Sequence, residues 1–138
     1  MKKTVIEIIF DLKAGCSAKE ERIRKKLKIS PAEFKGIMSL EPDNVVPCKI
    51  VAEKMGLSIS RGSRVIFKLM KNGYLKEIKA DGDRRIMYVT LAQKGIKTQQ
   101  KIKDIYSECE QTIFKKLEKN EIETFVKSLE KVTNILHL

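Results

Sequence analysis

Within residues 47–91 the hydrophobic period changes once, and that change restricts the fold more than any other feature of the chain. Ile50, Val51 and Met55 mark a short helix that ends at Gly56, and Leu57 and Ser58 make a turn. A second helix starts near Ser60, turns Val65, Ile66, Leu69 and Met70 inward, and stops at Asn72-Gly73. Two short helices across a tight, Gly-containing turn form a helix-turn-helix. After Gly73 the pattern becomes that of strands: residues 74–79 and 86–91 read as a hairpin across Asp81-Gly82-Asp83. A helix-turn-helix followed directly by a hairpin is a winged helix.

The flanks are helical. Val5, Ile8, Ile9 and Leu12 fall at helical spacing up to Gly15, which is expected to end that segment. Ser17 and Glu20 have the form of a capping box opening a second stretch to about Leu27, and Ser30-Pro31-Ala32-Glu33 repeats that form with Pro at the first helical position. Phe34, Ile37, Met38 and Leu40 then make an inner stripe, and residues 41–44 are a loop by composition. A long helix over about 92–117, capped by Thr90 and Gln93, carries Ile102, Ile105, Cys109, Ile113 and Leu117; a last helix starts at Asn120 and Glu123. The expected class is mainly α with a small β-hairpin wing: a winged helix-turn-helix plus a helical dimerisation lobe. The divisions are an N-terminal helical segment over 1–29, a DNA-binding domain over 30–95 and C-terminal dimerisation helices over 96–138.

Composition narrows the partners. Lys and Arg number 29 against 18 acids in 138 residues, a net +11. Residues 47–95 carry 11 basic and 4 acidic side chains, a net +7, and four of the six arginines (Arg61, Arg64, Arg84 and Arg85). Residues 96–138 are nearly neutral at +1. Arg forms bidentate hydrogen bonds to phosphates and guanine edges, so its clustering says more than general Lys richness. The chain lacks an apolar run of about 18 residues, which a membrane span needs. Three scattered cysteines and a single histidine, His137, leave little from which to build a zinc site or a Cys–His catalytic pair. No cofactor, metal or enzymatic chemistry is expected, and the chain reads as soluble and cytoplasmic.

The physical case for duplex DNA is specific. A major groove about 12 Å wide admits one α-helix, whose first turns reach base edges. Here those turns carry Ser60, Arg61, Ser63 and Arg64, with Lys68 further along a reading helix of about 59–72. Gly62 reads as a tolerated glycine near a helix start rather than as a point of close approach to DNA. The wing, about 75–91, ends in Arg84 and Arg85; an Arg-tipped arm suits a narrow minor groove, and Asp83 can pair with one of the two and brace the hairpin.

These residues resemble the MarR family of transcription regulators. The resemblance rests on residues 57–64 (LSISRGSR), Leu69, Gly73-Tyr74-Leu75, Asp83-Arg84-Arg85 and Thr90-Leu91-Ala92-Gln93-Lys94-Gly95. It covers roughly residues 30–136. It implies a homodimer on pseudo-palindromic double-stranded DNA, with the second motif helix in the major groove and the wing toward the minor groove. It also implies control by a small-molecule effector, which nothing in the sequence identifies. The family usually has Thr-Val where this chain has Arg61-Gly62, so no operator preference transfers.

Val5, Ile8 and Ile9 near the start and Ile122, Phe125, Val126, Leu129, Val132 and Leu136 near the end exceed what a small winged lobe can cover; they are the expected dimerisation residues. Cys16 is a candidate redox residue, because Lys13, Lys19 and Arg22 could favour a thiolate, although its surroundings do not match the peroxide-sensing motif. Cys48 and Cys109 read as structural. The alternatives are a redox-sensing regulator using Cys16 and a winged-helix module that binds protein or RNA.

Overall fold

Reciprocal caps set where the first two helices begin. In the computed structural model, which describes residues 2–79, 82, 83 and 85–138, helix α1 spans Val5–Leu27. The Glu7 amide donates to Thr4 Oγ1 (3.2 Å), and the Thr4 amide donates to Glu7 Oε2 (2.6 Å). The helix runs unbroken through Gly15, so the expected stop there and the expected cap at Ser17 are both corrected. One interior glycine costs only about 1 kcal/mol against alanine. The Thr4 cap and the Glu20–Arg24 and Glu21–Lys25 pairs one turn apart offset that cost. Lys28, left-handed at φ 57°, ends the helix.

Helix α2 (Pro31–Met38) begins as expected: the Glu33 amide donates to Ser30 Oγ (3.1 Å) and the Ser30 amide to Glu33 Oε1 (3.2 Å). A two-residue strand β1 (Val46–Pro47), helix α3 (Cys48–Lys54), helix α4 (Ile59–Lys71), strand β2 (Leu75–Ile78) and strand β3 (Tyr88–Leu91) follow. Helices α5 (Gln93–Lys116) and α6 (Lys119–Leu136) complete the chain. The sheet is antiparallel in the order β1-β3-β2, with Val46 opposite Val89 and Leu75 opposite Leu91. Sequence patterning misses β1, which is too short to alternate and contains Pro47, a residue confined to sheet edges. The two hairpin strands are also shorter than the segments expected over 74–79 and 86–91.

The chain divides into two units, Met1–Gln100 and Lys101–Leu138. The core of the first is built from Phe34, Ile37, Val51, Ile66, Leu69, Leu75 and Val89, all nearly or fully buried. Ile50, one of the residues that mark α3, is 36% exposed, whereas Val51 and Ala52 are buried. Thr90, expected to cap α5, is instead buried in β3 opposite Lys76.

The motif at residues 90–95 acts as a joint. Lys94 Nζ donates to the Asn72 carbonyl (2.9 Å) and sits 4.5 Å above the Tyr74 ring. A Cβ on Gly95 would lie 2.1 Å from the Tyr74 carbonyl oxygen, so only glycine lets α5 start this close to the end of α4. Gln99, 2% exposed, donates through Nε2 to the carbonyls of Ile37 (2.9 Å) and Leu40 (2.6 Å), satisfying acceptors left at the end of α2. No local spacing marks Gln99 for this role, because its two partners lie 62 and 59 residues away.

In the second unit, α6 starts where the Glu118 amide donates to Glu121 Oε1 (2.9 Å), two residues earlier than the Asn120–Glu123 start expected. None of its residues is buried. Among the described residues no helix is long and apolar enough to cross a membrane.

Candidate nucleic-acid interface

Helix α4 is aimed by its packing. Ser58 caps it, accepting the Arg61 amide on Oγ (3.3 Å), which fixes the first turn. Gly62, Ile66 and Leu69 are buried on its inner face. A Cβ on Gly62 would lie 2.4 Å from Ala52 Cβ and 3.1 Å from Ala52 Cα. Gly62 is therefore neither a tolerated glycine nor a DNA contact: it is where α3 and α4 touch. Spacing alone misses this, because the clue is the pairing of two small residues on different helices.

With the inner face so fixed, Ser60, Arg61, Arg64, Phe67, Lys68 and Lys71 are exposed. Ser63 is half-buried, and its hydroxyl donates to the Ile59 carbonyl (2.8 Å), leaving the oxygen only as an acceptor for a further partner. Lys68 Nζ lies 3.4 Å from Glu33 Oε1, whose side chain is buried, so its ammonium is already engaged by α2. That pair also joins the capping box of α2 to the outward helix. Phe67, 55% exposed, lies among these polar groups and escapes a search for basic or polar residues.

At the wing, Arg85 forms a bidentate pair with Asp83: Nε to Oδ1 and Nη2 to Oδ2, each 3.0 Å. The Arg85 amide also donates to Asp83 Oδ1 (3.0 Å). The guanidinium, foremost, and this amide hold the Asp83 carboxyl below its ordinary value, and the carboxylate holds Arg85 above its own. The expected brace of the hairpin is thus Asp83 with Arg85. Arg84 and the Asp81 corner of the turn lie outside the described residues.

The other candidate residues separate cleanly. Burial, aided by Glu77, pushes the Cys48 thiol up against the opposing pull of its backbone hydrogen bond, as suits a structural cysteine. Cys109 is half-buried on α5 and Cys16 is exposed on α1. Val5 and Ile8 are 70% and 54% exposed and Ile9 is half-buried. On α6, Phe125, Val126, Leu129 and Leu136 are exposed, while Ile122 and Val132 are half-buried. Among the described residues no group of three or more His, Cys, Asp and Glu could hold a metal ion.

No family model matches the chain. Over 72 residues it is 32% identical to YfiV of Bacillus subtilis, an uncharacterized HTH-type transcriptional regulator. The matched stretch is 52% of this chain and 45% of that protein, less than half of the relative's length. Among solved structures, FabT of Streptococcus pneumoniae in complex with DNA superposes with a TM-score of 0.83 at 18% identity, covering 96% of this chain and 95% of that one. A mutant of S. aureus MepR gives 0.82 at 18% identity over 97% and 99%. A MarR family protein from Bacillus stearothermophilus gives 0.83 at 16% identity over 97% and 94%. Six helices and a three-stranded sheet among the described residues, with nearly full-length superposition at these scores, show one thing plainly: the chain has the winged-helix fold of MarR-family transcriptional regulators.

Proposed function

We propose that the chain is a homodimeric transcriptional regulator that binds double-stranded DNA of defined, pseudo-palindromic sequence. The observation that carries this reading is the outward face of α4. Ser60, Arg61 and Arg64 are exposed on its first turns, while Gly62, Ile66 and Leu69 anchor the opposite side. A rigidly held helix with short polar and Arg side chains at its start is what a major groove accepts. FabT, which shares the fold, is a complex with DNA.

In this reading residues 30–95 bind DNA and residues 1–29 and 96–138 pair two chains. Ser60, Arg61, Ser63 and Arg64 lie toward the bases, Lys68 toward a phosphate, and Arg84 and Arg85 reach the minor groove. The uncovered apolar side chains of α1 and α6 support pairing. Val5, Ile6, Ile8, Phe10 and Leu12 are all exposed in the first turns of α1, and uncovered apolar side chains clustered in this way mark an interaction surface. A small effector of unidentified chemistry would set the affinity, and a DNA partner makes the cytoplasm the expected location.

The test is retardation of duplex from the region upstream of the chain's own gene, followed against salt. Binding that weakens steeply, with a log–log slope of about −0.9 per phosphate contact, is expected. Flat salt dependence with no preference over random duplex would overturn the reading.

A further inference from the structure

Among the apolar side chains of α4, Val65 and Met70 are half-buried and Ile66 and Leu69 are buried, while two are exposed: Ile59, at 61%, as the first residue of the helix, and Phe67, at 55%, two turns further on. It stands at helical steps from Ser60, Arg64 and Lys71, so it shares their outward side and cannot turn toward the core. Its neighbours on that side are a hydroxyl and cations, Lys68 being held by Glu33. That setting suits a duplex, because the phosphates flanking a groove take the cations while the floor offers one apolar group. In the major groove that group is the C5-methyl of thymine; every other base edge there presents only donors and acceptors.

We propose that Phe67 is a specificity-determining residue that packs against a thymine methyl in the major groove. This rests on the DNA-reading role of α4, and it adds a contact that the cationic residues cannot supply. It gives this chain a preference for thymine at one position of each half-site, set by apolar contact instead of a hydrogen bond.

The experiment begins with the duplex that the full-length protein selects from a random-sequence pool. Each thymine is replaced in turn by deoxyuridine, which removes only the methyl group, and dissociation constants are measured for wild type and Phe67→Ala. Wild type loses about fourfold at one thymine per half-site, the worth of one buried methyl. Phe67→Ala loses that sensitivity, keeps its response elsewhere, binds random duplex like wild type and retains the thermal midpoint of wild type. Indifference of wild type to every replacement, or undiminished sensitivity in Phe67→Ala, overturns the proposal and leaves DNA reading by α4 standing. A pool that yields no preferred sequence overturns both.

Discussion

In α4, Gly62, Ile66 and Leu69 are buried while Ser60, Arg61 and Arg64 face outward; in α6, no residue is buried and Phe125, Val126 and Leu129 are 40%, 43% and 38% exposed. Both helices are amphipathic, yet only one has found its apolar partners within the chain. Charge follows the same division. Residues 47–95 carry a net +7 and residues 96–138 a net +1. A surface that meets an anion can keep its like charges in water, whereas one that meets its own copy must shed them, since identical charges would face each other across a two-fold axis. Incomplete burial in a nearly neutral helix and a buried inner face beneath a basic one fit the two partners proposed above, a second copy of the chain and DNA.

The largest expected effect comes from treating one leucine in each region. Leu69 is 0% exposed, and Leu69→Ala is expected to remove about 2–5 kcal/mol of folding stability, measured by denaturant unfolding, without altering subunit affinity. Leu129→Lys, on the uncovered face of α6, is expected to leave the far-UV circular dichroism of the chain intact and to raise the dimer dissociation constant at least about tenfold by sedimentation. If Leu129→Lys unfolded the chain at every concentration and Leu69→Ala weakened the dimer instead, the two regions would have been assigned the wrong way round.

A smaller effect belongs to the contact between α3 and α4. Gly62→Ala must push Ala52 away from a 2.4 Å approach, at about 1–3 kcal/mol, even though alanine is the better helix former by about 1 kcal/mol. Operator affinity should fall further than stability accounts for, because α4 changes its aim. A Gly62→Ala protein more stable than wild type would show that the two helices do not touch there.

The smallest effect is at the wing. Asp83 is held below its ordinary value of 3.8, so its contribution is present above that value and is lost as pH falls through the depressed one. Followed by NMR at the Arg85 amide, the pair should persist below the pH at which an ordinary aspartate protonates, and Asp83→Asn should abolish the transition. A midpoint at the ordinary value would mean that the pair does not form in solution. Because both side chains are exposed, global stability should barely respond.

How far the sequence could be read follows from the length scale of each signal. The helix-turn-helix, the wing and the last two helices show in patterns several residues long, and the Ser30–Glu33 cap shows in spacing. Gly15 misleads because a local propensity of about 1 kcal/mol is overridden by the rest of a 23-residue helix. Strand β1 is hidden because two residues carry no period. The contacts of Gln99, Gly95 and Gly62 are invisible for a different reason: each is defined by a partner on another element. At the interface the cations could be named from composition, but Phe67 could not. The spacing already turns Ile66 and Leu69 inward, and their burial leaves that ring outside.

The most direct measurement is the ratio of affinities for the selected duplex and for random duplex at one salt concentration. It should be taken for wild type and for a variant combining Ser60→Ala, Arg61→Ala and Arg64→Ala. A reading helix predicts a ratio of about 10³ or more for wild type, collapsing toward unity in the variant while the dimer and its fold remain. A ratio that the three substitutions leave unchanged would contradict the assignment of α4 as the helix that reads DNA.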